Sequence, residues 1–275
     1  MSIIEGGVVI QDGVPRHVNP FGKVRHVQAG ESIQGAIDAA AAGDVIYIDG
    51  GNEYNENLTL STSGIALVGI GARGSARITG LAVNGTALTI DAAAAAVNDV
   101  LLVNLTLAGR GTGKGLYVQG STRRISAHAC HFDGGDTGIG VLLESTAFGS
   151  VVDTRFIDCQ FQQVPTGLSL IGTGGANPCT RTRLEGCAFK HISTVCIVSE
   201  FTRSLEIIDC TFGAQEDGTA PTDFLDIDVA DTTGLVSGCR FAFATNESDT
   251  LNIASGVMWV ANATEAGWST ARPSS

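Results

Sequence analysis

The chain has 275 residues, a formal net charge of −12, 36 glycines and 6% aromatic residues. This length suffices for one large domain. The excess of negative charge argues against nucleic acid as a partner and against non-specific binding to an anionic glycan. The chain contains no apolar stretch of about 18 residues, so we predict no membrane partner and no membrane span.

Residues 1–29 contain two prolines and several glycines and show no repeating pattern. They begin without a basic segment ahead of an apolar core, so we predict no signal peptide. We predict that they form an extended N-terminal arm, which anchors the protein on a partner or is exchanged between subunits.

Residues 30–43 are predicted to form a capping helix. A helix over residues 32–42 places four apolar side chains on one face, those of Ile33, Ala36, Ile37 and Ala40. Because a solenoid exposes apolar rungs at its ends, a helix at this place closes the N-terminal end of the repeat that follows.

Residues 44–268 show an internal repeat. Short strands with alternating apolar residues begin every 25 to 30 residues, and alternation at period two indicates a strand with one buried face. These strands begin at Leu58, Leu88, Leu116, Val141, Leu168, Cys196, Leu225 and Leu251.

A second ladder consists of cysteines that each precede a phenylalanine by two positions, namely Cys130, Cys159, Cys187, Cys210 and Cys239. Two strand ladders with one shared period predict an all-β fold, a single-stranded parallel β-helix of about eight coils spaced by about 4.8 Å. We expect these cysteines to be buried, unpaired and stacked one per coil. Stacked free thiols imply folding in a reducing cytoplasm.

Loops and ends follow from the same register. The path between the two ladders is longest over residues 145–150 and 172–179, so we expect these two loops to protrude side by side. In the last coil, Met258, Trp259 and Trp268 are large enough to close the open end. Residues 269–275 are predicted to be a disordered tail.

The opening coils carry a family resemblance. The run Glu31-Ser-Ile-Gln34, the segment Gly43-Asp-Val-Ile46 and the segment Tyr54-Asn-Glu56-Asn-Leu58 resemble the start of the pectin-lyase-like right-handed β-helix superfamily. The resemblance implies a right-handed coil. It leaves function open, because the superfamily includes pectate lyases, polygalacturonases, pectin methylesterases, phage tailspikes and non-catalytic virion proteins.

The catalytic motifs of these enzymes are not complete in the sequence. The Asn-Thr-Asp, Gly-His-Gly and Arg-Ile-Lys segments of polygalacturonases and the Gly-Arg-Pro-Trp segment of pectin methylesterases do not occur. Residues 52–56 match half of another enzyme motif, but that piece is also common in non-enzymes of the superfamily.

Three acids are the remaining catalytic candidates. Glu200 and Asp228 fall near the outward ends of neighbouring strands, about 5–7 Å apart, and Glu144 lies on a similar row. Such a carboxylate pair suits a retaining glycosidase. An exposed carboxylate row or a contact between subunits explains the same pattern, and we therefore assign no catalytic residue and no cofactor.

A row of charges precedes the cysteine ladder, formed by Arg123, Arg124, Asp153, Arg181 and Arg203. We expect a solvated and partly self-compensated row, in which each contact contributes little. The alternative is a docking strip for an acidic subunit or a sugar. Two histidines, His128 and His131, flank Cys130, but His131 and the thiol point to opposite sides of the strand, so we predict no metal site.

These observations lead to one functional hypothesis and two alternatives. The hypothesis is a non-enzymatic bacteriophage virion structural protein, a capsid decoration (cement) protein or short spike. It is homotrimeric, and its arm binds other virion proteins. The first alternative is a tailspike-type polysaccharide lyase or hydrolase. The second is a module that binds a cell-surface glycan without turnover, through the loops at residues 145–150 and 172–179.

Overall fold

The structure is a computed structural model. It describes residues 3–5, 8–11, 14–17, 22–135, 137–147, 149–173, 177–213, 221–227, 232–242, 251–264 and 267–269. Before residue 22, at residues 93, 94 and 264, and over residues 267–269, only the backbone is described.

Strands dominate the described chain. From the N-terminus they are β1 (Ile3–Glu5), β2 (Val8–Gln11), β3 (Val14–His17), β4 (Val24–Val27), β5 (Val45–Asp49), β6 (Asn52–Asn55), β7 (Leu58–Leu60), β8 (Ala66–Ile70), β9 (Ala76–Thr79) and β10 (Leu88–Val103). They continue with β11 (Leu105–Ala108), β12 (Lys114–His128), β13 (His131–Asp133), β14 (Ile139–Glu144), β15 (Val151–Ile157), β16 (Gln160–Ile171), β17 (Cys179–Thr180), β18 (Arg183–Glu185), β19 (Ala188–Glu200) and β20 (Thr202–Arg203). The last are β21 (Leu205–Ile208), β22 (Thr211–Phe212), β23 (Asp223–Ile227), β24 (Gly234–Ser237), β25 (Arg240–Phe241), β26 (Leu251–Ile253), β27 (Val257–Val260), β28 (Asn262–Thr264) and β29 (Gly267–Ser269). One helix, α1 (Ile33–Asp38), lies between β4 and β5.

The strands form the three parallel sheets of a right-handed β-helix. Sheet A joins β7, the first parts of β10 and β12, β14, the last parts of β16 and β19, β23 and β26. Sheet B joins β4, β5, β8, the last parts of β10 and β12, β15, β18, β21, β24 and β27. Sheet C joins β6, β9, β11, β13, the first parts of β16 and β19, β22, β25 and β28. Each coil passes from A to B at corner AB and then to C at corner BC. It returns to A through a loop or, in β16 and β19, within the strand itself.

The predicted arm divides into two parts. Strands β1–β3 form an antiparallel sheet that pairs only within itself. Residues 24–27, which we expected in the arm, form β4 and pair with β5 in parallel. The solenoid therefore begins before the capping helix. The sequence analysis missed β4 because Val24-Arg-His-Val27 lacks the alternation of apolar residues that marked the ladder.

The capping helix is shorter than the predicted 32–42. Ser32 is its N-cap, and the side-chain oxygen of Ser32 accepts a hydrogen bond from the Gly35 amide. The Glu56 carboxylate accepts hydrogen bonds from the Ser32 hydroxyl at 2.8 Å and the Ile33 amide at 2.8 Å. The Tyr54-Asn-Glu56 part of the family motif thus fixes the helix onto the first coil.

The core contains the predicted cysteine and phenylalanine columns. All seven cysteines are free and buried, and the prediction for the five ladder cysteines is confirmed. Neighbouring phenylalanine rings stack at 4.5–4.9 Å between centroids from Phe161 through Phe189 and Phe212 to Phe241. The ladder thiols also donate to main-chain carbonyls two residues earlier, such as Cys210 to Ile208 at 3.3 Å.

Corner BC explains the residue that precedes each ladder cysteine. The five such residues, and Asn104 at the equivalent place before Leu105, have φ between 52° and 67°, in the left-handed region. The five are Ala129, Asp158, Gly186, Asp209 and Gly238. Gly, Asn and Asp adopt this conformation most readily. Asn104 adds hydrogen bonds from its side-chain amide to the carbonyl of Gly69 at 3.0 Å and from the Gly74 amide to its oxygen at 2.9 Å.

One ladder position was wrong by a residue. Leu168 pairs with Ile197, and Ile197 pairs with Leu225, so Ile197 takes the place that we predicted for Cys196. The cause is a register shift between Val164 and Thr166 in the pairing of β16 with β19, which inserts one extra residue in β19. Cys196 is still buried.

The C-terminal end differs in part from expectation. Trp259 points inward and stacks on Phe241 at 5.5 Å, but Met258 points outward and is 63% exposed. Trp268 lies in β29, which pairs antiparallel with β28. Of the predicted tail, residue 269 belongs to β29 and residues 270–275 lie outside the described residues. In the described chain no helix is long and apolar enough to cross a membrane.

Candidate functional site

Glu144 and Glu200, two of the three acids identified in the sequence, lie on the outward side of sheet A. One row of this side contains, from coil to coil, Asp91, Gln119, Glu144, Ile171 and Glu200. Glu144 and Glu200 are therefore two coils apart, which separates their main chains by about 10 Å. A retaining glycosidase needs carboxyl groups about 5–5.5 Å apart, so the spacing of these two acids does not suit that chemistry. Asp228, the expected neighbour of Glu200, lies outside the described residues.

Glu144 is held by a tyrosine. The Tyr117 hydroxyl donates a hydrogen bond to the Glu144 carboxylate. Burial raises the pKa of Tyr117, and so do the hydrogen bond to Glu144 and the charge of Asp91. The Lys114 ammonium lies 5.3 Å from the centre of the Tyr117 ring. Glu144 therefore serves as the acceptor for a neutral tyrosine in a compact polar cluster.

The charge row lies at corner AB. It also contains Asp99, an acid that the sequence analysis missed. The Arg124 guanidinium donates to both oxygens of Asp99 at 2.5 and 2.8 Å. Arg181 makes the same two-bond contact with Asp153, with one of the bonds at 2.9 Å. The arginine hydrogen bonds lower the pKa of each acid. The row is thus self-compensated.

The predicted membership of this row needs one correction. Asp99, Arg124, Asp153 and Arg181 all have φ between 54° and 59° and occupy equivalent corner positions. Arg203 pairs with Thr180 instead, and Ser204, with φ 57°, takes the next corner position. The step from Arg181 is one residue longer than we assumed. Arg123 pairs with Asn98 and Val152, just before the corner.

A groove of about 460 Å³ runs over the outward side of sheet B next to this corner. Its ionisable lining comprises Asp153, Arg155, Arg181, Arg183, Glu185 and Glu206. Arg183 donates to Glu185 at 3.0 Å and to Glu206 at 2.9 Å. Cations and anions of the groove therefore neutralise one another.

The protruding loops are neighbours, as the register predicted. The Ser150 hydroxyl donates to the Asn177 side-chain oxygen at 3.4 Å. The Ser145 hydroxyl lies 3.5 Å from the Cys179 sulfur. The described parts of the two loops therefore lie against each other beside corner AB.

The histidines do not build a metal site with Cys130. The Cys130 side chain is buried in the core, whereas His131 lies on the outward side of sheet C. Burial lowers the pKa of His131, and the charges of Arg73 and Lys190 lower it further. Among the described residues, no group of three or more His, Cys, Asp or Glu side chains is placed to hold a metal ion.

The outward side of sheet B holds the feature that the sequence analysis overlooked. Several of its strands are apolar on both sides, including Val100 to Val103 within β10 and Val257–Val260. Continuous apolar runs of this kind indicate strands that are covered on both faces. The signal was present in the sequence, but the alternation of sheets A and C concealed it.

Comparison with known proteins gave matches only among solved structures; no protein-family model and no curated protein matches the chain. Alginate lyase from Paenibacillus sp. str. FPU-7 superimposes with a TM-score of 0.66 at 14% identity, covering 88% of this chain and 87% of that chain. Pectin methylesterase from Aspergillus niger gives a TM-score of 0.57 at 13% identity, covering 93% of this chain and 89% of that one. Rice weevil pectin methyl esterase gives 0.56 at 13%, with 89% and 81% covered.

These similarities define the class of protein. The chain has the pectin-lyase-like right-handed parallel β-helix fold, as the opening motifs predicted. At identities of 13–14% the likeness establishes the fold alone.

Proposed function

We propose that the chain is a non-enzymatic structural subunit of a bacteriophage virion, a capsid decoration protein or short spike whose rods associate as a homotrimer. The virion assignment rests on the family resemblance. The observation that supports a structural role is that ionisable side chains of the outer faces bind one another. Such pairs include Arg124 with Asp99, Arg181 with Asp153, Arg183 with Glu185 and Glu206, Arg77 with Asp133, and Tyr117 with Glu144.

Mutual pairing stiffens the outer surface and ties successive coils together. It also engages Glu144, Asp153 and Glu206, which a hydrolase would need as free acids or bases. In this proposal the solenoid is a rigid shaft, and the N-terminal segment with its separate sheet β1–β3 attaches it to other virion proteins.

Immunogold electron microscopy of the intact native particle tests the proposal. Antibodies against the solenoid should label the particle surface, and deletion of residues 1–21 should abolish incorporation while the solenoid still folds. A particle that carries no label, with the protein found only outside it, would overturn the proposal. The position of the label on shell or tail separates decoration protein from spike.

The reason to consider an enzyme is the fold, because an alginate lyase and pectin methylesterases share it. Incubation with a panel of acidic and neutral bacterial polysaccharides decides it. Loss of viscosity or the appearance of unsaturated products would replace the structural proposal with a lyase or hydrolase.

The glycan-binding alternative rests on the two neighbouring loops that meet at Ser150 and Asn177. It requires binding to whole cells without product formation. Replacing residues 146–149 by a short Gly-Ser turn should then abolish cell binding. Ser145 is kept, because its buried hydroxyl accepts a hydrogen bond from the Val151 amide.

A further inference from the structure

The outward side of sheet B consists of two rows, which we call row 1 and row 2. Row 1 contains Val45, Ala66, Leu101, Ser126, Arg155, Arg183, Glu206, Leu235 and Met258. Row 2 contains the residues two places later, Tyr47, Val68, Val103, His128, Ile157, Glu185, Ile208, Ser237 and Val260. The side chain between each pair points into the core, as Phe156 and Trp259 do.

The two rows are apolar at both ends and charged in the middle. At the C-terminal end Met258 is 63% exposed and Val260 is 38% exposed. The outward sides of the other sheets are polar by comparison, with residues such as Tyr117, Ser169 and Asp226 on sheet A and Arg77, His131 and Gln160 on sheet C. At the N-terminal end Val45, Ala66 and Val103 are buried by the chain itself, so the solvent-facing apolar part of the two rows lies at the C-terminal end. An exposed apolar patch of this kind marks a surface that another molecule covers.

The charges of this side favour a second copy of the chain as that molecule. The groove between the apolar ends is lined by three cations, Arg155, Arg181 and Arg183, and three anions, Asp153, Glu185 and Glu206. It is therefore neutral, on a chain whose net charge is −12. Two identical acidic molecules approach with the least repulsion where their facing surfaces are neutral.

The order of residues along the rows fits a parallel arrangement. If copies lie side by side around an axis parallel to the rod, row 1 of one copy meets row 2 of the next at the same coil. Met258 then faces Val260 of the neighbouring copy, and Arg183 faces Glu185.

The register follows from closure of the assembly. Copies related by rotation about an axis parallel to the rod meet at the same coil, whereas a shift of one coil per copy would give an open helical array.

The available length is adequate for a stable contact. Rows 1 and 2 pass through nine strands of sheet B, from β5 to β27, and at about 4.8 Å per coil they extend over about 38 Å. Specific protein interfaces bury about 800 Å² per partner, so a contact along this length would need to be about 20 Å wide.

We infer that copies of this chain pack through the outward side of sheet B, parallel and in register. The inference rests on the proposed structural role, and it names the partner as a second copy and the contact as rows 1 and 2.

Met258→Asp tests the surface. Met258 is exposed and points outward, so the variant should fold with an unchanged melting curve of the dissociated chain. Buried in the contact, the carboxylate should raise the dissociation constant measured by analytical ultracentrifugation at least tenfold. Val83→Asp is the matched control, because Val83 is 81% exposed in a return loop on another side of the rod. This control should associate like the unchanged protein.

Disulfide trapping tests the parallel register. The cysteines of the chain are buried, so introduced surface thiols are the accessible ones. The double variant Leu235→Cys and Ser237→Cys places one thiol in each row at the same coil. Mild oxidation should give covalent oligomers of the double variant, whereas each single variant should stay unlinked.

The outcomes separate this inference from the proposed function. If the chain associates but Met258→Asp and Val83→Asp behave alike, or if a single-cysteine variant crosslinks as well as the double one, the surface or its register is wrong and the structural role stands. A chain that sediments as a monomer at every concentration overturns self-packing, and with it the homotrimer. Immunogold labelling tests the virion role independently of both results.

Discussion

The Arg124 guanidinium binds both carboxylate oxygens of Asp99, one coil earlier, at 2.5 and 2.8 Å. Both residues have a positive φ, so each extends its side chain from the same point of corner AB. Arg181 and Asp153 repeat the arrangement further along the row. The corner thus alternates in charge from coil to coil.

These corner pairs should contribute little to stability in spite of their geometry. The side chains of Arg124 and Asp99 are each more than half exposed, and exposed ion pairs contribute about 0–1 kcal/mol. We expect Arg124→Ala to lower the free energy of unfolding in urea by less than about 1 kcal/mol, with the difference shrinking in high salt. A larger loss that salt does not reduce would mean that Arg124 stabilises the fold through contacts other than this ion pair.

Asp44 should make a larger and pH-dependent contribution. Burial raises the pKa of this carboxyl, but hydrogen bonds from the Ala41 and Lys23 amides and from Arg25 outweigh it, so the pKa lies below its ordinary value. A lowered folded-state pKa stabilises the protein above the unfolded value of about 4, and this stability is lost as the pH falls through the folded value. We expect Asp44→Asn to cost about 1–3 kcal/mol at neutral pH and the cost to shrink as the pH falls below the unfolded value of about 4.

Asp38→Asn is the control for that comparison, since Asp38 is exposed on α1. Denaturant titrations from pH 7 to pH 2 should show an acid-dependent difference from the unchanged protein only for Asp44→Asn. The same pH profile for both variants would contradict the assigned role of Asp44.

The buried thiols should be unreactive in the folded protein. All seven are buried, and burial raises the pKa of Cys196, which disfavours the reactive thiolate. An exposed-thiol reagent should modify none of them until denaturant unfolds the chain, after which all seven should react. Rapid modification of even two ladder cysteines under native conditions would contradict the stacked core.

Two buried threonines differ in hydrogen bonding, so replacing each by valine should change the free energy of unfolding differently. The Thr182 hydroxyl has no partner in the described part of the chain, whereas the Thr202 hydroxyl accepts a 2.7 Å hydrogen bond from Ser199. We expect Thr182→Val to leave the free energy of unfolding unchanged or raise it by up to about 1 kcal/mol, because it removes an unsatisfied group. Thr202→Val should lower it by about 1–2 kcal/mol. Equal losses in thermal or urea unfolding would show that the Thr182 hydroxyl is satisfied.

Ala129 occupies a corner position that costs free energy. Its φ is 52°, and the equivalent residues at Gly186 and Gly238 avoid the penalty of a side chain in the left-handed region. Ala129→Gly should therefore stabilise the protein by up to about 1 kcal/mol or leave it unchanged, since the flexibility of glycine in the unfolded chain offsets part of the gain. A loss above about 1 kcal/mol would indicate that the alanine methyl group packs more tightly than the corner geometry suggests.

Much of the fold could be predicted from the sequence, because the stacking of equivalent side chains fixes the register between neighbouring coils. Phe132, Phe161 and Phe189 each pair with their equivalents, since a shift by one residue would turn a ring out of the core. The error at Cys196 came from an extra residue in β19, a local irregularity that leaves no mark on the apolar pattern.

The candidate site was less predictable for a related reason. The partner of an outer side chain depends on single-residue offsets at the corners, which decided that Asp99 binds Arg124 and that Arg203 does not join the row. The spacing of Glu144 and Glu200 became known only from the strand pairing, because Ile171 pairs with both residues and lies on the coil between them. The apolar outward side of sheet B was encoded in continuous runs, but it became visible only when sheet membership was known.

The column of rings has a consequence for how the molecule comes apart. Neighbouring rings from Phe161 to Phe241 lie within 10° of parallel, so Phe189 and Phe212 are each held between two parallel rings. Interactions in such a stack are between nearest neighbours, and order spreads along it one coil at a time. The rod should therefore unfold from its ends inward. Replacing a central ring such as Phe189 by a small side chain should leave two shorter stacks that unfold separately.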